Sequence, residues 1–258
     1  MSELIQNSQE RLSRLTDFAL KLINGENGTQ LIETYRNEIY SISPIETMIV
    51  FDTLLINGVP FESVKSNVGK LLNVFYSSII KHEWTPQQGH FLYYLMLENR
   101  AVEILMKELQ ARTKTYAKDS SELHKRNIFE LIGKIELYEQ HYIKKENILF
   151  PYIEKTFPQF RCLHLMWSFH DDFRRSIKNL KVLLTDKNAN SKDVHKELGV
   201  LFFVVLPVIF REERIIFPVA QRAISNTLWN EMLQQSIESD WCYIEKPVVS
   251  KISTSVEN

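Results

Sequence analysis

The sequence predicts an all-α protein, built as an up-down four-helix bundle behind a smaller helical module. Three observations point there. Glycine and proline are scarce, at 7 and 8 among 258 residues. Apolar residues recur at three- and four-residue spacing, and sustained strand-like alternation is absent.

The elements follow in order. Leu12, Leu15, Phe18 and Leu22 share one face of a first helix that ends near INGENG. A second opens at Ser43-Pro44-Ile45-Glu46. There Ser43 can cap, Pro44 suits the first helical position, and Glu46 can close a capping box. Gly58 in INGVP stops it, and a third helix runs through FESVKSNVGKLLNVFYSSIIK. The polar break EWTPQQG then sets a domain boundary near residue 85. Four longer helices are expected at 88–110, 121–155, 160–184 and 192–222, joined by short links such as TYAKDSS and TDKNANS. The expected organisation is a small helical module at 1–85, the bundle at 86–245, and a Ser-rich, disordered tail at 246–258.

Composition narrows the function. A formal charge of -1, from 31 basic and 32 acidic residues, gives no global field to favour nucleic acid or an anionic membrane. Cys162 and Cys242 form no CxxC pair, which argues against a thiolate metal site or a disulfide framework. The charged N-terminal stretch MSELIQNSQERLSRL does not read as a signal peptide. The apolar stretch 198–210 is too short to span a bilayer and contains Pro207, so a cytoplasmic location and no membrane span are expected. No GxSxG, P-loop or GxGxxG motif occurs, and no substrate or enzymatic turnover is specified.

Polar groups on apolar faces are the candidates for chemistry. In FREERIIFP, Glu213 is flanked at helical spacing by Leu206, Ile209, Phe210, Ile216 and Phe217. A carboxylate there must be paired, neutralised, hydrogen-bonded or bound to a metal. The segment echoes itself: KENILFP (145–151) matches EERIIFP (212–218), pairing Glu146 with Glu213 and placing each before a Phe-Pro kink. Glu98, His90 and Tyr93 lie on the first long helix, His141 and Glu146 on the second, and His170 among Leu163, Met166, Trp167, Phe173 and Ile177 on the third. Carboxylates and imidazoles converging from four helices suit a first-row divalent metal. The alternative is a partly buried ion-pair network using Arg100, Arg174, Arg175, Arg211 or Lys145, with His170 a hydrogen-bonded core residue. His82, His124, His164 and His195 read as surface groups, and Phe202, Phe203 and Phe210 as packing.

At these residues the sequence resembles the haemerythrin-like (HHE cation-binding) superfamily. It is most similar to a bacterial family that fuses a short helical N-terminal module of unknown function to a haemerythrin-type four-helix bundle. The stretches that carry the likeness are ISPIETMIVFDTLLINGVPFESVK, GHFLYYLMLENRAVEILMKEL, EQHYIKKENILFPYIEK, MWSFHDDFRRSIKNL and IFREERIIFPVA. The resemblance implies nonhaem iron, di-iron or mononuclear, serving redox or diatomic-gas (O2 or NO) sensing, iron handling or stress protection. The metal ligands would come from His90, Glu98, His141, Glu146, His170 and Glu213. A second expectation is haem b in the same cavity, held by Tyr93, His141 or His170. A third is a metal-free module that meets a protein partner through residues 1–85. The chain departs from the family pattern at five positions. Phe75 and Tyr93 replace histidines of the closer family. Asn99, Lys145 and Val208 replace a histidine, a glutamate and a histidine of the superfamily.

Overall fold

The computed structural model describes residues 2–158 and 160–248, so most of the expected tail lies outside the described residues. Helix α1 (Ser2–Ile23) buries Leu15, Phe18, Ala19 and Leu22, the stripe its spacing predicts, and ends before Gly25 at φ +86°. Two short helices follow, α2 (Gly28–Thr34) and α3 (Arg36–Ile39), which no periodicity announces. Helix α4 (Pro44–Ile56) starts with the expected capping box: Ser43 N–H donates to Glu46 at 2.8 Å, and Glu46 N–H donates to Ser43 Oγ at 3.3 Å. Gly58, at φ +82°, closes it ahead of α5 (Phe61–Ile79).

The bundle begins with α6 (Phe91–Lys118), which runs past the expected end near residue 110 because Tyr116 is still buried core. Its second member is segmented into α7 (Glu122–Glu136), α8 (Glu139–Lys144) and α9 (Phe150–Thr156). The third is α10 (Leu163–Thr185), and the fourth is α11 (Ser191–Arg211) continued by α12 (Phe217–Ala223). Helix α6 packs on α7 and α11, and α10 on the same two, which closes the four-helix ring. An additional helix, α13 (Asn226–Ser236), lies against α6. The all-helical bundle is the expected fold class; among the described residues every regular element is helical, and no helix is long and apolar enough to cross a membrane. Phe203 corrects one expectation. It is 82% exposed rather than packed.

The echoed motifs turn out to share a backbone feature. Lys145–Leu149 and Glu212–Ile216 are both π-helical turns, each running directly into its Phe-Pro. Pro151 and Pro218 have no N–H to donate, and a proline ring clashes with the carbonyl four residues earlier. Widening the helix by one residue relieves that clash. The Phe150 N–H accordingly bonds the Lys145 carbonyl, and the Phe217 N–H bonds the Glu212 carbonyl, five residues back in each case.

This bonding leaves the Glu213 carbonyl without a helical partner, and the Trp84 indole N–H donates to it. Trp84 comes from the linker ahead of α6, so the chain that enters the bundle also completes the fourth helix. Two further contacts tie the first five helices to the bundle. Asp52 on α4 accepts from the Arg161 and Cys162 N–H groups at the start of α10, and Lys65 on α5 pairs with Asp172 at 2.8 Å. Replacing Trp84 by Phe keeps a ring against Phe217 but removes the donor. Urea denaturation is expected to show a loss of ~1–3 kcal/mol, the cost of an unmade buried hydrogen bond; an unchanged midpoint would refute this role of the indole.

Candidate metal centre

The bundle interior holds a continuous row of polar side chains, drawn from all four helices and alternating in charge. It starts at Glu98 on α6, which is fully buried. One Glu98 oxygen accepts from the Lys144 ammonium at 2.9 Å, and from the Cys242 N–H and thiol at 2.8 and 3.2 Å. The Lys144 ammonium also donates to the carbonyls of Gln140 and Asp240, at 3.0 and 2.6 Å. Burial pushes the Glu98 carboxyl up, and Lys144 opposes it.

His141 continues the row. Its Nδ1 lies 2.9 Å from Glu98 and its Nε2 3.2 Å from Glu212. Burial, reinforced by Lys145 and Lys144, drives its pKa well down, so the ring is neutral and can donate only once. The shorter contact, to Glu98, takes that proton. Glu212 is itself fully buried and ion-paired with Lys145.

The Lys145 amino group is the middle of the row; burial pulls its pKa well down, and Glu146 and Glu98 oppose that pull. Besides Glu212 it reaches His170 Nε2 at 3.1 Å and lies 4.4 Å from the Tyr142 ring centroid. His170 then donates from Nδ1 to Glu146 at 2.7 Å, and Glu146 accepts from Arg174 at 2.8 Å. Burial is also the main cause that lowers His170 well below its usual range, with Lys145 and Arg174 adding to it. Asn99 braces the row from α6, donating to Glu212 and Glu213 at 3.2 and 2.9 Å while accepting from the Tyr138 hydroxyl.

The predicted residues are thus partly assembled. Glu98, His141, His170 and Glu146 belong to the row. Glu213 sits beside it, bonded to Asn99 and paired with Arg100. It was expected among the metal ligands with Glu98 and His170, but Glu212, at four-, seven- and eleven-residue spacing from the fully buried Val208, Val205 and Leu201, is the glutamate that faces the row. His90 is not brought in. It caps α6, accepting from the Leu92 N–H at 3.1 Å, with its ring 4.7 Å from that of Trp229. Eight residues separate it from Glu98, about 12 Å along a helix. Tyr93 packs edge-on against Tyr94 instead of reaching the row. Lys144 was missed as a member; in the sequence Glu212 stands out only as a companion of Glu213, and Asn99 and Lys145 only as departures from family ligand positions, Lys145 also as a candidate ion-pair partner.

Every carboxylate in this centre already has its cation. Lys144, Lys145 and Arg174 face Glu98, Glu212 and Glu146, and Arg100 faces Glu213. With both histidines neutral the sum is zero, wherever the proton of the Lys145–Glu212 pair sits. A divalent ion would add uncompensated charge and would have to displace the Lys145 ammonium from the two groups best placed to bind it. Among the described residues no cluster of three or more His, Cys, Asp or Glu side chains has the geometry to hold an ion. The residues present do not fit a resident metal.

Two outcomes follow. Lys145→Met strands the buried Glu212 carboxylate and is expected to cost about 3–5 kcal/mol in urea unfolding, whereas Lys145→Met with Glu212→Met recovers most of that loss. If the double variant is as unstable as the single one, pairing is not what Lys145 supplies. His170 gives a pH signature. Folded, it stays neutral; unfolded, it titrates near its ordinary 6.5. Below that pH the unfolded chain takes up a proton that the fold refuses, so stability falls by about 1.4 kcal/mol per pH unit from this residue. Urea unfolding of the wild type between pH 6.5 and 5 should decline more steeply than that of His170→Gln by this slope.

Comparison with known proteins bears on the same helices. The profile of the Hemerythrin HHE cation binding domain matches residues 90–220, half of the chain. No curated protein and no solved structure matches. Domains of this family bind metal ions, typically iron, so the match suggests a metal-binding role. Since the matched region spans α6 through α12, the four members of the bundle, the chain belongs to the haemerythrin HHE cation-binding family.

Proposed function

We propose that this chain is a haemerythrin-family bundle whose internal cation is its own Lys145 ammonium, and that it works as a metal-independent binding module. The observation that carries this is the Lys145 side chain, fully buried between Glu212 and His170. Redox or diatomic-gas sensing, iron handling and stress protection through nonhaem iron, di-iron or mononuclear, would need open coordination positions that the ammonium takes up. Haem b would need a free imidazole or phenolate. Both ring nitrogens of His141 and of His170 are engaged, and the half-buried Tyr93 ring packs edge-on against Tyr94. Residues 1–85 act as the helical module that meets a protein partner, with 86–245 as the bundle it is fastened to. Asp52, Lys65 and Trp84 support this, because they let the bundle sense how that module is seated.

Protein purified from iron-replete cells is expected to carry substoichiometric iron, to lack visible absorption, and to melt at the same temperature with and without EDTA. Stoichiometric iron, a Soret band or a chelator-sensitive Tm would each overturn the reading.

A further inference from the structure

Outside the row, one buried cation has no anion. Arg211, the last residue of α11, is only 8% exposed, and neither its Nε nor its Nη1 has a hydrogen-bond partner. Among the described residues no carboxylate pairs with it, in contrast to Lys144, Lys145 and Arg174. A guanidinium stripped of water without compensation is costly, so such a group calls for a partner. Its plane stacks at 3.9 Å on the Phe169 ring centroid, which covers a face and leaves the N–H edges free to act.

Most of the lining around those edges is apolar; Asn73 and the Tyr76 hydroxyl are its uncharged polar members. On one side is a cavity of about 50 Å3 between α4, α5 and α10, lined by Met48, Phe51, Leu72, Met166 and Phe169 as well as Arg211. On the other is a groove of about 400 Å3 lined by Tyr76, Phe203, Pro207, Phe210 and, again, Arg211. Tyr76 stacks on Phe210 at 5.5 Å, and Phe203 stands almost wholly in solvent at the groove. A water molecule bound here would find few of the two to four polar partners it needs.

We propose that this pocket binds a small monocarboxylic acid with an apolar chain, its carboxylate on the Arg211 fork and its chain along the aromatic groove. A planar carboxylate matches the guanidinium edge. A single negative charge matches the single cation in the lining, whereas a phosphate dianion would carry excess charge into apolar walls. The exposed Phe203 and Tyr76 rings then gain an apolar surface to cover. This site does not rest on the metal-free reading, and the test below, run in EDTA, is indifferent to it.

Hexanoate titrated into the full chain at constant ionic strength, followed by calorimetry and by Tm, is expected to bind saturably and to raise the Tm. 1-Hexanol and inorganic phosphate should bind at least ~10-fold more weakly. Arg211→Met removes the uncompensated charge, so it should melt no lower than the wild type yet lose hexanoate binding by the same factor. Phe203→Ser alters a solvent-exposed side chain, keeps the fold, and should weaken hexanoate severalfold even if the arginine variant proves unstable. The proposal is overturned by absence of saturable binding for all straight-chain acids from acetate to octanoate, by equal binding of phosphate, or by Phe203→Ser and Arg211→Met both binding hexanoate as the wild type does.

Discussion

The contact between Lys145 and Glu212 is the constraint on which the rest of the interior depends. Two side chains that would each be prohibitively expensive to bury alone are placed at matching positions of two helices, where each cancels the other. The remaining polar groups are arranged around that pair. Asn99 donates to the carboxylate, while His170 and the Tyr142 ring hold the ammonium. Glu98 with Lys144 and Glu146 with Arg174 close the two ends, so that charge is neutralised locally at every step. The polar side chains of this interior are thus matched to one another by ion pairs and hydrogen bonds within the chain.

Such a pair contributes little net stability compared with apolar side chains of equal volume, but it demands one arrangement of the helices. A slip of a single residue in either helix would separate Lys145 from Glu212. The packed aromatic groups reinforce that demand. Tyr138 stacks on His141 with ring centroids 4.7 Å apart, and Tyr142 on His170 at 4.1 Å, so the imidazoles cannot turn without disturbing the core.

Much of the fold was legible because it is local. The stripe Leu15, Phe18, Leu22 declares its face, and Ser43 with Glu46 declares its cap. The break at EWTPQQG lies ahead of the first bundle helix, as expected. The site was half legible: Glu212 follows Val208 and Val205, and Lys145 follows His141 and Tyr138, at the four- and seven-residue spacing of one buried face, so both are in phase with their helices. Glu213 drew the attention because Ile209, Phe210, Ile216 and Phe217 flank it, and no single helix states which charge lies opposite. The repeated Phe-Pro preceded by charged residues was the available signal, and it marked the segments without giving their phase. Nor does any pattern on one helix state that Asn99 will brace a carboxylate more than a hundred positions away. Arg211, next to the motif, could be placed only with the tertiary packing of α4, α5 and α10 in view.

The Trp84 contact has a mechanical meaning. A hydrogen bond from the linker to the one carbonyl that the π-turn and Pro218 leave free joins two otherwise separate questions: how the first five helices sit, and which way the fourth bundle helix is wound. Any force that draws the linker outward pulls first on the wide turn that carries Glu212. The linker contact and the buried charge therefore share one turn of backbone, so the seating of the N-terminal helices and the position of Glu212 are coupled through it.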